Sequence, residues 1–165
     1  LKLPIKLGAQ DVSSFGQVAY TGAVNAVQLR ELCDYVIIGH SERRKNFSES
    51  EQVLLQKVTH AKQVGLKVIY CVSDVNMNIP QTVDIVAFEP IAAIGSGKAE
   101  SPNIANQVIG EIKQKSKIAT CIYGGSVTAE NIHDFLRIAN IDGVLPGGAS
   151  LDVDSFWKLI NHATI

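Results

Sequence analysis

The chain has almost no excess charge of either sign: 15 Lys plus Arg stand against 16 Asp plus Glu, a net charge of −1, and charged residues make up only 19%. Such a balance leaves no electrostatic footprint for a polyanion and excludes nucleic-acid binding as the main function. Long hydrophobic runs are also missing. Stretches such as 35–38 and 68–72 fall far short of the ~18 apolar residues that a membrane span requires, so no membrane partner is expected. Cysteine is sparse, with Cys33, Cys71 and Cys121 each in an apolar stretch and none in a C-x-x-C pair. They read as reduced core thiols of a cytoplasmic protein, without a disulfide framework and without a base at motif distance that would make one a nucleophile. There is no Walker motif, no G-x-G-x-x-G after the first strand and no cluster at metal-ligand spacing, so neither a cofactor nor a metal is expected. The opening Leu1-Lys2-Leu3-Pro4 carries neither an initiator Met nor the layout of a signal peptide, and reads as the interior of a longer sequence.

What is present is 46% hydrophobic residues over 165 positions, enough to bury the core of one domain, taken as 1–165. Short apolar or β-branched runs recur at 5–10, 35–38, 67–72, 85–88, 118–123 and 143–145. They lack the polar alternation of a half-exposed sheet, as strands covered on both faces do. Helical spacing fills most of the gaps. Residues 49–64 repeat apolar side chains at Val53, Leu54, Val58, Ala61 and Val64, with Ser48 and Glu51 spaced as a capping box and Gly65 as the stop. Ser101 with Pro102 begins a second helix, Thr128 is placed to cap 129–138, and Asp152 or Asp154 to start the last through Ile160. The connection 73–84 is too short and Asn-rich for a full helix. Strand, loop and helix repeated six times leave a doubly wound sheet or an incomplete (β/α)₈ barrel, with about six of eight units present.

In parallel α/β architectures the loops after the strands carry the chemistry. Four are loaded here. Gly39-His40-Ser41-Glu42-Arg43-Arg44 puts His40 at a strand end with the amides of a helix start behind it, which favours a neutral imidazole able to polarise a carbonyl. His60, His133 and His162 lie in helical patterns without evident partners and read as surface residues. Phe88-Glu89-Pro90 ends an apolar strand in a carboxylate, and a partly desolvated carboxylate is a stronger base toward a carbon acid; the competing reading pairs it with an arginine such as Arg44. Residues 91–98 follow as an apolar loop tip with glycines, the composition of a lid that excludes water. Gly124-Gly125-Ser126 and Pro146-Gly147-Gly148 each follow a strand and precede a helix, where unhindered amides can point at an anion. Two such loops in the final two units match the phosphate site that barrels build from their last loops. Electrophile, base, lid and phosphate cradle together point to proton abstraction beside the carbonyl of a small phosphorylated substrate.

These same segments resemble the triosephosphate isomerase family: Gly8-Ala9-Gln10, Tyr20-Thr21-Gly22, Ile38-Gly39-His40-Ser41-Glu42-Arg43-Arg44, Phe88-Glu89-Pro90 with Ala93-Ile94-Gly95-Ser96-Gly97-Lys98, Tyr123-Gly124-Gly125-Ser126-Val127 and Gly147-Gly148-Ala149-Ser150-Leu151, in family order. The resemblance implies a (β/α)₈ barrel and an enzyme that interconverts dihydroxyacetone phosphate and glyceraldehyde 3-phosphate through an enediolate. It implies Glu89 as the base and His40 as the electrophile, with Ser41 and Glu42 in support. Gly95, Ser126, Gly147 and Gly148 would bind phosphate. The segment 10–22 would be the loop of a cytoplasmic homodimer, marked by Gln10 and Thr21. The family opens with two further βα units whose first strand bears Asn-x-Lys. No such motif stands in these 165 residues, so the resemblance implies a chain that starts at the third strand, with unpaired strand edges and poor activity by itself. Ala92 stands where the family commonly has Trp, Pro146 replaces a small apolar residue, and the connection after Cys71 is short. A degenerate barrel that keeps only phosphate binding, as a binding or assembly module, is the alternative.

Overall fold

The computed structural model of the chain describes residues 5–17, 19–93 and 98–163. They fall into two units, one reaching to Cys71 and including Ile79–Ile85, the other comprising Val72–Asn78 and the chain from Val86 onward.

In the first unit β1 (Gly8–Ala9), β2 (Tyr35–Ile38) and β3 (Lys67–Val72) lie side by side in chain order, with Gly8 opposite Tyr35 and Tyr35 opposite Lys67, all parallel. Spatial order that follows chain order argues for the barrel pattern over the reversal of a doubly wound sheet. Val36, Ile38, Val68 and Tyr70 are buried, as expected of strands covered on both faces. The cover is α3 (Glu51–Gln63), whose Leu54, Val58 and Ala61 recur at helical spacing and are buried. Its stop is as the sequence indicates: Gly65 at φ +79° lets the Leu66 amide return to the Ala61 carbonyl at 3.0 Å. Its start differs. Ser48 is itself in the left-handed region at φ 52°, and the cap is Ser50, whose hydroxyl accepts from the Val53 amide. Two short helices, α1 (Ala26–Arg30) and α2 (Ser41–Asn46), complete the unit. The first has a capping box of its own, Asn25 with Gln28, that the sequence reading missed.

In the second unit β4 (Ile85–Phe88), β5 (Thr120–Tyr123) and β6 (Gly143–Val144) again follow chain order, with β5 and β6 parallel and Ile122 opposite Gly143. The helix α4 (Pro102–Ser116) starts at Pro102 and buries Ala105, Ile109 and Ile112; α5 covers only Ile132–Leu136, and α6 spans Val153–Ala163. Thr128 is therefore not a helix cap. Its amide instead donates to Asn131 Oδ1 at 2.8 Å, closing a turn that delays the helix by three residues. Asp152 does cap α6, accepting from the Ser155 amide at 2.8 Å. Across the described residues the first, fifth and sixth strands are shorter than their apolar runs, and no helix is long and apolar enough to cross a membrane.

The charged centre of the first unit is Lys57, 3% exposed, whose ammonium lies 2.7 Å from both Asp11 oxygens and 2.6 Å from Glu49 Oε1. Arg43 reaches the same two carboxylates at 2.9 and 2.7 Å. Burial works to raise the Glu49 carboxyl, but the bonds from Lys57 and Arg43 outweigh it and hold Glu49 below its ordinary 4.5. A lowered carboxyl stabilises the fold fully above its unfolded value, and that contribution is lost as pH falls through the folded one. Urea titrations should therefore find stability dropping below about pH 4.5. At neutral pH Lys57→Met should cost about 3–5 kcal/mol, because Asp11 and Glu49 are left with Arg43 alone between them and one negative charge of the pair is uncompensated.

Candidate functional site

In the first unit the chain leaves β2 through Gly39, at φ +77°, and His40 becomes the N-cap of α2. Its Nδ1 accepts the Glu42 amide at 3.3 Å. A ring nitrogen that accepts an N–H carries no proton, so the remaining hydrogen of a neutral ring sits on Nε2 as a donor. Glu42 thus supports His40 through its backbone, and its own side chain is exposed. Arg44 commits its fork within this unit, to the Gly39 carbonyl, Glu51, the Tyr70 hydroxyl and the Cys71 carbonyl. Burial opposes the charge on Arg44, while Glu51 and Tyr70 outweigh it and raise its pKa.

In the second unit β4 delivers Glu89, a carboxylate only 2% exposed. Its amide donates to the Val72 carbonyl at 2.7 Å, and the next strand is tied on by the Gly124 amide to the Phe88 carbonyl at 2.8 Å. A Cβ at Gly124 would stand 3.0 Å from the Glu89 Cγ, and one at Gly125 would lie 2.6 Å from the Tyr123 hydroxyl and 3.0 Å from the Ala93 Cβ. Both glycines are therefore required first by space, Gly124 to let the backbone close on the Glu89 side chain and Gly125 to admit the Tyr123 hydroxyl beside Ala93, and not only as a cradle for an anion.

The rest of that loop holds both flanks of residues 94–97. Ser126 donates from its hydroxyl to the Ala93 carbonyl at 2.5 Å, and the Tyr123 hydroxyl accepts the Glu100 amide at 2.8 Å. Burial pushes the Tyr123 hydroxyl up, so it stays protonated, and its ring stacks on Phe135 at 4.2 Å. Gly95 lies outside the described residues. Ser126 thus spends its hydroxyl on Ala93, which the sequence did not reveal; its amide finds no acceptor among the described residues. The same is true of the Gly147, Gly148 and Ala149 amides at the short 3₁₀ turn Gly148–Ser150, where both glycines are exposed and nothing lies within 4 Å of their Cβ positions. Such unpaired amides suit an anion.

Gln10 and Thr21 are exposed in the first unit, on a segment closed by the Ser13 amide to the Val24 carbonyl and carrying Phe15 stacked on Tyr20 at 3.8 Å. The three cysteines are buried and in no disulfide among the described residues, and burial pushes the Cys121 thiol up to about 11, which makes it unreactive. His133 and His162 are not isolated surface residues. Their rings stand 5.9 Å apart, and His162 Nδ1 lies 2.7 Å from the Ala129 carbonyl. Sequence reasoning assigns Tyr123 no role, since a tyrosine within an apolar strand reads as core, and considers Arg44 only as a possible partner of Glu89, whereas it bonds Gly39, Glu51, Tyr70 and Cys71.

Comparison with known proteins shows the family. A family model described as triosephosphate isomerase matches residues 1–163. The triosephosphate isomerase of Dehalococcoides mccartyi strain BAV1 is 40% identical over 190 residues, covering 98% of this chain and 75% of that protein. That of Mesomycoplasma hyopneumoniae is 38% identical, with 94% and 74% covered, and that of Dictyoglomus thermophilum 36%, with 94% and 76%. The chain belongs to the triosephosphate isomerase family, as an α/β protein carrying part of the (β/α)₈ barrel.

Proposed function

We propose that in this triosephosphate isomerase Glu89 is the base and His40 the electrophile of the interconversion of dihydroxyacetone phosphate and glyceraldehyde 3-phosphate. The observation that carries this reading is the burial of Glu89 at the end of β4 against the backbone of Gly124. A carboxylate shut away from water meets a carbon acid without a hydration shell to displace. It takes a proton from the carbon beside the carbonyl and returns it to the neighbouring carbon, while the Nε2–H of His40 bonds the oxygen on which charge develops. The amides of Ser126, Gly147 and Gly148, with Gly95, hold the phosphate. A purely phosphate-binding module has no use for a buried carboxylate, which repels the anion, so the catalytic reading is preferred.

Several finer properties belong to the same proposal. The unbroken match over 1–163 supports reading 1–165 as one partial barrel domain. The stacked Phe15 and Tyr20, 46% and 48% exposed, support a homodimer built through 10–22 with Gln10 and Thr21 at its contact. Free buried cysteines support a cytoplasmic location.

Glu89→Gln should lower kcat by roughly 10²–10⁴-fold, with affinity for a phosphorylated substrate analogue nearly unchanged, as steady-state kinetics and calorimetry can establish. Parallel loss of both would make Glu89 a structural carboxylate. Gly148→Val should abolish binding of inorganic phosphate by covering the amide while leaving the fold intact, because its Cβ meets no protein atom; unaltered phosphate binding in the folded variant would move the cradle elsewhere. Gly125→Ala should displace the Tyr123 hydroxyl, read as at least tenfold faster hydrogen exchange at the Glu100 amide, since a lost buried hydrogen bond is worth about 1–3 kcal/mol.

A further inference from the structure

We infer that Arg44 is the positioning residue of His40, a role that rests on the catalytic reading of His40 given above. The imidazole is held at the junction of a strand and a six-residue helix, and both carbonyls beside it are fixed by this one arginine. Arg44 Nε donates to the Gly39 carbonyl at 2.8 Å, which belongs to the peptide leading into His40, and the Arg44 amide donates to the His40 carbonyl at 3.1 Å. The other arms of the fork reach the end of β3, with Nη2 3.2 Å from both the Tyr70 hydroxyl and the Cys71 carbonyl, and the start of α3 through Nη1 and Glu51. The guanidinium also lies over the Tyr70 ring at 5.6 Å.

The fit leaves no slack. A Cβ on Gly39 would meet Arg44 Nη2 at 3.0 Å, and φ there is +77°, so the backbone turn into His40 and the guanidinium occupy the space that any larger residue would need. A lysine keeps the charge but offers a single ammonium on a flexible stem, which cannot hold three elements in one plane. The peptide ahead of His40 is then free to rock, and the bond from the Glu42 amide to Nδ1, at 3.3 Å, is the first to loosen. Its loss removes the preference for hydrogen on Nε2.

Arg43 is the internal contrast. Adjacent in sequence, it faces Asp11 and Glu49, and its guanidinium lies over Phe47 at 3.9 Å. Of the two arginines, it is Arg44 that bonds the carbonyls on either side of His40.

The test is nitrogen NMR of the imidazoles in the full chain, which needs no turnover, combined with kinetics. The native chain should give His40 signals of one neutral tautomer, with hydrogen on Nε2. Arg44→Lys should move them toward tautomer averaging and lower kcat by about 10²-fold, as a misplacement on the order of 1 Å does, with KM altered less than threefold. Arg43→Lys should leave the His40 signals in place. If Arg44→Lys does not fold, Glu51→Gln loosens the same fork, and should shift the His40 signals in the same direction but less. Unchanged His40 signals in a folded Arg44→Lys, or in Glu51→Gln, overturn the proposal. Altered signals with kcat unaffected would leave Arg44 positioning His40 and remove the catalytic reading of His40 instead.

Discussion

The arrangement of the second unit depends on one close approach, the Gly124 backbone against the side chain of Glu89. Placing a carboxylate where it is 2% exposed costs solvation, and the surrounding packing must hold it there. Here the Glu89 amide is bound to Val72, and the next strand is bound to Phe88 one residue away. Pairing β5 with β4 leaves no room for a Cβ at Gly124, and the Tyr123 hydroxyl and Ala93 leave none at Gly125, which is why the loop begins with two glycines. The same closure brings the Tyr123 hydroxyl and the Ser126 side chain to the flanks of residues 94–97. The enclosure of Glu89 and the hold on both flanks of residues 94–97 thus come from a single packing event.

The first unit solves a different problem. Its second strand is followed by a run of charge in α2, Glu42-Arg43-Arg44-Lys45, and adjacent arginines take separate tasks. Arg43 joins Lys57 in neutralising Asp11 and Glu49, which anchors the segment leading to Gln10 and Thr21 to α3. Arg44 turns the other way and ties the ends of two strands to the first turn of α3. A charge run of this kind is usually a solvated face, as Glu42 and Lys45 are here; the two arginines are partly enclosed because each guanidinium meets carboxylates or carbonyls with defined geometry.

Much of this was legible in the sequence, for identifiable reasons. The strands at Tyr35–Ile38, Lys67–Val72 and Ile85–Phe88 carry unbroken apolar runs, which only a sheet covered on both faces tolerates, and their bounds were read correctly. Glycine after α3 marked its end because only glycine adopts that φ cheaply. Helix starts were less legible. Ser48 and Ser50 are equally good caps by residue type, and the left-handed backbone at Ser48 that decides between them is a tertiary outcome. The same holds for Thr128 against Asn131. In the site, the strand-end positions of His40 and Glu89 could be read from order alone. The uses of Tyr123, Ser126 and Arg44 could not, because each depends on a contact with a segment distant in sequence.

The central claim is that this family member removes a proton from carbon. Its most direct measurement follows dihydroxyacetone phosphate by proton NMR in deuterated buffer with the full chain present. Exchange without net turnover registers even slow enolisation. The account predicts incorporation of a single deuterium, faster than in buffer alone, because one fixed carboxylate reaches one face of the substrate. Exchange at the buffer rate, or of both hydrogens alike, would contradict it.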